Sequence, residues 1–488
     1  MDPLVILLIG MLVVIGGILG FKLHPFLTLI LAAIAVGLCT SETNIRRYAA
    51  SRDLSEVETT RLVKETTGRK IAGGLGRTAG KIGILIAMAA LIGKCLLESG
   101  AAERIVRSAL RLLGEKRAPA ALMGSSFVLG IPVYFDTVFY LMIPLAKSIA
   151  VRVGRNFGLY TMAIIAGATM AHSLVPPTPG PLLVASELNV DLGKMILGGL
   201  ILGSLTMLTG YAYAVWANRQ FPIPLRDSPD ISVEELHASS ERESSDLPPL
   251  WLSLMPIALP VLLIAGDTIL PRFFAGEIEA TLGLATHWGM EPISRWLQGV
   301  LALVRFLGNK DIALTLAGLL ALGILAFRQP DVARLQSAVQ KALTSAGTII
   351  LITAAGGAFG GMLQQTGIGP QIQDLAARYQ VSLLPLAFLV TTLIRTAQGS
   401  ATVAMITSVG IFSGMVGDLG FDPLYLALAI GCGSKPFPWM NDSGFWVICK
   451  MSGMTEKETL KTSSTLMSLM AVSGLLVLMV MASLLPHF

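Results

Sequence analysis

Long apolar runs recur from one end of this chain to the other. The first, LVILLIGMLVVIGGILG, covers Leu4–Gly20, and the last, STLMSLMAVSGLLVLMVMASLLP, covers Ser464–Pro486. Because an α-helix needs about 20 mostly apolar residues to cross a bilayer, each run is long enough to span one. Only 14% of the residues are charged, compared with roughly 25% in a soluble protein. The sequence therefore predicts an all-α integral membrane protein with many spans.

The apolar runs form two sets separated by a polar loop from Asn218 to Asp246. The predicted spans lie near 4–20, 25–39, 81–98, 158–187 and 192–216, and near 250–270, 311–327, 343–365, 424–450 and 463–485. Two further apolar stretches, 118–151 and 382–415, are too long for one crossing and are interrupted by GIPVYFD and RTAQGS. We expect both to be re-entrant hairpins, because non-helical backbone at membrane depth must be buried in protein or line a cavity.

The two sets also resemble each other in sequence. Ala79–Ile105 aligns without gaps on Ala346–Ile372, and the interruptions follow in the same order in both halves. Because five crossings per half is an odd number, the second half enters the membrane upside down relative to the first. The predicted domains are a first inverted repeat over 1–217, a cytoplasmic linker loop over 218–249 and a second inverted repeat over 250–488. Inverted repeats with broken helices are typical of secondary transporters.

The distribution of basic residues predicts an orientation. Short loops on the side of the linker loop are rich in lysine and arginine, so the positive-inside rule places that side in the cytoplasm and both termini outside. The basic residues between Ser41 and Lys81 oppose this orientation, although longer segments count for less. The net charge of +5 fits this loop bias and does not indicate nucleic-acid binding.

The tip of the first hairpin carries an acidic residue. Asp136 ends the interruption GIPVYFD and Thr137 follows it, and an ionisable residue at membrane depth usually faces a cavity. We interpret Asp136 as a candidate proton carrier and Thr137 as a substrate contact. The alternative is that Asp136 caps the second hairpin helix by accepting hydrogen bonds from its free N–H groups.

The stretch HSLVPPTPGP breaks the fourth predicted span with four prolines in six positions. Such a break creates a new helix N-terminus, where an anion is favoured. Ser173, Thr178 and Gly180 are the expected substrate contacts at this break. His172 is either a proton relay or a hydrogen-bonded structural histidine.

The second hairpin carries the motif RTAQGSAT. A buried guanidinium has the planar shape that matches a carboxylate, so Arg395 is a candidate substrate contact. Gln398, Ser400 and Thr402 have side chains that can bind substrate hydroxyls. The alternative for Arg395 is an internal ion pair with Asp136 or Asp442.

The last polar interruption, KPFPWMNDSG, breaks the ninth predicted span. Asn441 and Ser443 are expected to contact the substrate, and Asp442 is a second candidate for proton coupling. Lys435 is interpreted as either a salt-bridge partner or a snorkelling residue.

Several motifs together resemble the gluconate permease family of proton symporters. They are LIGKCLLESGAAERI, YFDTVFYLMIPL, AHSLVPPTPGP, RTAQGSATVAMIT and NDSGFW, and the resemblance covers residues 79 to 485 and the opening apolar region. It implies uptake of gluconate, another sugar acid, a glycerate-like acid or D-serine, a fold with inverted repeats and paired re-entrant hairpins, and a homodimer. The chain departs from the family at Asp136, where the family usually has glutamate, and at Thr178, where it commonly has histidine. The segment GSKPFPWMND is also unusual.

The resulting hypothesis is a proton-coupled symporter of a bacterial-type inner membrane that carries gluconate or a related small hydroxy-carboxylate. The substrate carboxylate would bind at broken-helix N-termini near Arg395, and Asp136 or Asp442 would carry the proton. No cofactor or metal ion is expected. The alternatives are a sodium-coupled di- or tricarboxylate transporter, a channel, and an intramembrane enzyme, which Gly417-Asp418 weakly favours.

Overall fold

The computed structural model describes residues 1–50, 52–153, 155–226, 247–267, 302–368, 371, 382–413, 420–440 and 442–485. These residues form helices, turns and loops with no β-strand among them, which confirms the all-α prediction. The helices of the first half are α1 (Pro3–Ile15), α2 (Pro25–Cys39), α3 (Glu42–Ala50), α4 (Glu56–Lys64), α5 (Thr67–Glu98), α6 (Ala101–Leu113), α7 (Ala118–Leu129), α8 (Phe135–Val153), α9 (Phe157–Leu174), α10 (Pro179–Glu187) and α11 (Leu192–Gln220).

The second half repeats the alternation of long and broken helices. Its helices are α12 (Leu250–Asp267), α13 (Lys310–Arg328), α14 (Val332–Gln364), α15 (Leu383–Gln398), α16 (Ala401–Phe412), α17 (Pro423–Gly433), α18 (Ser443–Ser452), α19 (Glu456–Thr459) and α20 (Thr465–Leu484). A π-helical turn, Leu460–Ser464, joins α19 to α20.

Seven stretches of the described helices are long and apolar enough to cross a membrane: α5, α9 with α10, α11, α12, α13, α14, and the continuous helix from α19 to α20. The number becomes eight if α2 and α3, which meet at 97°, are counted as one span. The chain is therefore a multi-pass membrane protein, as its apolar runs predict.

Two helices are longer than the sequence predicts. α5 has 32 residues and begins at Thr67 rather than near residue 81, and α14 has 33 residues and begins at Val332 rather than near residue 343. Each begins in polar sequence because a side chain caps it: Thr66 accepts from the backbone N–H of Arg69, and Asp331 accepts from that of Ala333. Hydropathy locates the apolar part of such a helix and misses its polar first turns.

The chain leaves helical geometry within each of the four predicted interruptions, over shorter stretches than the sequence motifs; residues 395–398 of RTAQGS, for example, still belong to α15. Residues 130–134 separate α7 from α8, and 399–400 separate α15 from α16, within the stretches predicted to be hairpins. Residues 175–178 separate α9 from α10, and the described residues 434–440 and 442 lie between α17 and α18, within the predicted broken spans.

The helices pack both within each half and between the two halves. Within the halves, α7 packs on α9 and α15 on α17, while α11 packs on α9 and α20 on α17. Between the halves, α5 packs along α14, α13 packs on α5 and α2 on α14, and the short helices α10 and α18 contact α16 and α8. These contacts bring residues of the four interruptions to one cavity.

One close crossing between helices depends on glycine. A Cβ atom added to Gly360 of α14 would lie 2.8 Å from the Cα atom of Gly410 in α16, and the same holds in the opposite direction. By contrast, a Cβ atom added to the neighbouring Gly361 would meet nothing within 4 Å. Small residues allow membrane helices to approach at backbone distance, so Gly360 and Gly410 fix this crossing.

We expect Gly360→Ala to destabilise the protein by about 1–3 kcal/mol, because the two backbones must separate to admit the methyl group. The matched control Gly361→Ala is expected to be neutral or stabilising by up to about 1 kcal/mol, since alanine is the better helix former. Denaturant unfolding of the detergent-solubilised protein measures both. Equal effects of the two substitutions would show that the crossing does not require glycine.

Candidate functional site

A cavity of about 300 Å³ lies where the four interruptions meet. Its wall includes residues from the first turns of four helices: Asp136 of α8, Pro179 of α10, Thr402 of α16 and Gly444 of α18. The helix dipole makes each of these helix ends favourable for an anion. The volume falls at the lower end of the roughly 300–1,000 Å³ that is usual for small-molecule sites.

Arg395 connects two of the interruptions. Its side chain is only 2% exposed. Its Nε donates to the carbonyl oxygen of Ser434 at 3.0 Å, its Nη1 donates to that of Gly399, and its Nη2 forms an ion pair with Asp442. Gly399 ends α15 with a φ of 85°, a left-handed conformation that glycine adopts without strain. Arg395 thus lines the cavity and also holds the end of α15 against the break that precedes α18.

The structure therefore selects Asp442 from the two internal partners that the sequence suggests for Arg395. Asp442 is also the N-cap of α18, where its Oδ1 accepts from the backbone N–H of Gly444 at 2.8 Å. A carboxylate with both oxygens bound in this way has a clear structural role.

Asp136 and Asp442 both lie beside Gly444. A Cβ atom added to Gly444 would lie 3.7 Å from the Oδ1 of Asp136 and 3.4 Å from that of Asp442, so the two oxygens are at most about 7 Å apart. Asp136 is inside the first turn of α8, not at its N-cap position, because that helix begins at Phe135. Among the described residues it accepts no hydrogen bond and forms no ion pair. Asp136 is thus a carboxyl group in the cavity wall that, unlike Asp442, is not held by a hydrogen bond or an ion pair with the described residues.

His172 contributes an imidazole to the same wall. Its Nδ1 is buried without a hydrogen-bond partner in the part of the chain that the structure describes. Its ring meets that of Tyr134 edge-on, with 5.9 Å between the centroids. The unbonded Nδ1 does not fit the alternative that the sequence allows, in which hydrogen bonds hold a structural histidine.

The hydroxyl group of Thr178 holds the proline-rich break together. Its Oγ1 lies 2.8 Å from the carbonyl oxygen of His172 and 2.8 Å from that of Val175. The hydroxyl group can therefore donate to either carbonyl at the C-terminal end of α9. The side chain is buried and is absent from the cavity wall, and so is that of Ser173, whose hydroxyl lies 3.5 Å from that of Ser434. The sequence predicts that Thr178 and Ser173 contact the substrate, but in the structure neither residue lines the cavity.

We expect Thr178→Val to destabilise the protein by about 1–3 kcal/mol, because it leaves buried carbonyl oxygens without a donor. Thr178→Ser keeps the hydroxyl group and should remain close to the wild type. Chemical unfolding in detergent measures both variants, and solute binding should not change in specificity. A variant with wild-type stability and altered specificity would instead assign Thr178 to the substrate.

The remaining predicted contacts divide into three groups. Ser400 lines the cavity and caps α16, accepting from the N–H of Val403 at 3.3 Å. Thr137 and Gly180 do not line it; a Cβ atom added to Gly180 would lie 2.8 Å from the sulfur of Met405, so glycine here permits close packing of α10 on α16. Asn441 lies outside the described residues, as do the side chains of Gln398 and Ser443.

The cavity wall also contains polar residues that the sequence does not single out as substrate contacts, among them Tyr134, Ser463 and Lys435. Tyr134 stands directly before α8, and Ser463 belongs to the π-helical turn before α20, within a hydroxyl-rich stretch, KTSST, that marks its position in the sequence. Lys435 forms no ion pair among the described residues; it is 3% exposed and lines the cavity. Two basic and two acidic side chains thus share this wall.

Comparison with known proteins places the chain among membrane permeases. Residues 59–485 match the family described as GntP family permease. The chain is 32% identical to a gluconate permease of Pseudomonas aeruginosa over 99% of this chain and 97% of the relative. It is 28% identical to an L-idonate transporter of Escherichia coli over 97% and 98% of the two chains. Its fold is similar to the crystal structure of the Alcanivorax borkumensis YdaH transporter, with a TM-score of 0.55 at 15% identity over 85% and 87% of the chains.

Proposed function

Because the chain belongs to the GntP family of permeases, we propose that it is a proton-coupled symporter for gluconate or a closely related sugar acid. The family membership itself makes the chain a membrane transporter and not an enzyme, which confirms that part of the sequence prediction. The aspartate that weakly favoured an enzyme, Asp418, lies outside the described residues.

The convergence of four helix N-termini on one charged cavity is the observation that carries this proposal. The relatives named above are a gluconate permease and an L-idonate transporter, and both of these sugar acids combine one carboxylate with several hydroxyl groups. The positive helix ends and the basic side chains suit the carboxylate. Thr402 and Ser400 offer hydroxyl groups for the polyol part of the substrate.

The charge balance of the cavity supports coupling to protons. Arg395 and Lys435 balance Asp136 and Asp442 when both carboxyl groups are ionised, so the wall is neutral before the substrate enters. A bound monoanion would leave one uncompensated negative charge in a poorly solvated site, which is costly. Protonation of Asp136 removes that charge, whereas protonation of Asp442 would break the ion pair with Arg395. One proton per monoanion therefore keeps the loaded cavity neutral.

The packing of the helices supports an inverted repeat, the architecture that permits alternating access. If α5 corresponds to α14, the contacts of α2 on α14 and α13 on α5 are equivalent, as are those of α10 on α16 and α18 on α8. Gly100 and Gly367, paired by the sequence alignment, have φ angles of 79° and 76° just after the two long helices. We assign the repeats to 1–217 and 250–488, joined by the loop 218–249, with re-entrant hairpins over 118–151 and 382–415.

The remaining features of the proposal concern placement in the cell. The positive-inside rule supports a cytoplasmic linker loop and external termini. The Escherichia coli relative described as an inner membrane permease supports a bacterial inner membrane, and the family resemblance supports a homodimer.

Uptake into proteoliposomes tests the proposed function. We expect a panel of sugar acids to show accumulation of gluconate or a close relative under an imposed inward proton gradient. Accumulation that follows a sodium gradient and ignores a protonophore would replace the proposal with sodium coupling. Failure of every hydroxy acid to accumulate under either gradient would overturn it.

A further inference from the structure

Lys435 is a buried base whose amine makes no direct contact with a carboxylate, although Asp136 and Asp442 line the same cavity. It is 3% exposed, and in the described part of the chain its amine donates no hydrogen bond and forms no ion pair. Arg395, by contrast, uses its donors on Ser434, Gly399 and Asp442. Since an unpaired charge at membrane depth is costly, the amine of Lys435 is the base in this cavity that an incoming anion would stabilise most.

The backbone around Lys435 is held in place from two sides. The N–H of Phe437 donates to the Oγ of Ser468 at 2.9 Å, and the Oγ of Ser464 donates to the carbonyl oxygen of Pro438 at 2.5 Å. On the other side, the carbonyl oxygen of Ser434 accepts from Arg395. These bonds fix the break to the start of the last span, so the lysine extends from a constrained segment.

Ser463 adds an unused hydroxyl group to the same wall. It is 1% exposed, and among the described residues its Oγ has no hydrogen-bond partner. It lies in the π-helical turn Leu460–Ser464, and such turns often occur at functional sites because they redirect side chains out of the regular helical pattern. Buried hydroxyl groups normally find a partner, so this one is available to a ligand.

We propose that Lys435 and Ser463 form the subsite that binds the carboxylate of the substrate. This inference rests on the proposed transport of a sugar acid and deepens it. Arg395 then has a structural role, because its ion pair with Asp442 and its bonds to two carbonyl oxygens organise the wall. The amine of Lys435 contacts the carboxylate as a charge-assisted donor, and the hydroxyl of Ser463 donates to its second oxygen.

Binding of two matched probes to the purified full-length protein tests this subsite. D-gluconate carries the carboxylate, and D-glucitol has a hydroxymethyl group in its place. We expect Lys435→Gln to weaken gluconate binding at least about tenfold, as loss of a hydrogen bond to a charged group does, and to leave D-glucitol binding unchanged. Gluconate binding within about twofold of the wild type would overturn the inference, and so would an equal loss for both probes.

Further variants separate binding from folding. Ser463→Ala removes one buried hydroxyl group and should weaken gluconate binding severalfold without lowering the melting temperature. Lys435→Arg should retain part of the affinity, and Lys450→Gln, which changes an exposed lysine of α18, should behave as the wild type. If Ser463→Ala binds gluconate as the wild type does, the two-residue subsite is wrong. A wild-type protein that binds no sugar acid would overturn the proposed function, whereas normal binding by Lys435→Gln would overturn only the subsite.

Discussion

Asp136→Asn is expected to abolish proton-driven accumulation of gluconate while leaving gluconate exchange intact. The amide resembles the protonated carboxyl group, so the loaded cavity stays neutral and the substrate still binds. Because the amide cannot release a proton, gluconate can only equilibrate across the membrane. Accumulation and counterflow in proteoliposomes measure the two activities separately. Binding of gluconate should weaken with rising pH in the wild type and lose most of this dependence in the variant.

Asp136→Glu is the matched control, since it keeps the carboxyl group and the resembled family usually has glutamate at this position. We expect it to retain proton-driven accumulation at a reduced rate, because the longer side chain must fit beside Gly444. Full active accumulation by Asp136→Asn would contradict the assignment of this residue to proton coupling. Loss of counterflow in that variant would instead assign Asp136 to substrate binding.

Arg395→Met is expected to cause the largest loss of stability, about 3–5 kcal/mol, together with loss of transport. It removes the partner of Asp442 and the donors to the carbonyl oxygens of Ser434 and Gly399. The carboxylate of Asp442, only 12% exposed, would then have lost its ion-pair partner at the start of α18. Denaturant unfolding and the yield of folded protein in detergent measure the effect.

A double-mutant cycle supplies the control for Arg395. Because Asp442→Asn removes the stranded charge, we expect the double variant Arg395→Met/Asp442→Asn to be more stable than the sum of the single effects predicts. Additive effects would show that the two residues do not stabilise each other. A fully stable Arg395→Met protein that no longer binds gluconate would return Arg395 to the role of substrate contact.

The apolar runs and their breaks predict much of the fold because their causes are local. Proline removes a backbone donor, so the prolines of HSLVPPTPGP and KPFPWMNDSG mark breaks that the structure places at 175–178 and between α17 and α18. Gly399 ends α15 for another local reason: glycine adopts the left-handed backbone conformation found there without strain. The starts of α5 and α14 were misplaced because capping side chains extend these helices into polar sequence.

The roles of individual side chains depend on contacts that sequence spacing does not contain. Thr178 looks like a ligand contact in a polar break, yet its hydroxyl bonds to the backbone of its own break. Ser463 looks like the polar start of a span, yet a π-helical turn places it in the cavity wall. Lys435 and Asp136 are distant in sequence and share the cavity only because α8 packs on α18.

Proton movement driven by the substrate alone tests the proposed symport most directly. Proteoliposomes with a pH-sensitive dye inside, equal pH on both sides and a clamped membrane potential receive external gluconate. We predict acidification of the interior, with about one proton entering per gluconate and no requirement for sodium. Entry of gluconate without acidification, or entry that depends on sodium, would contradict proton coupling through this cavity.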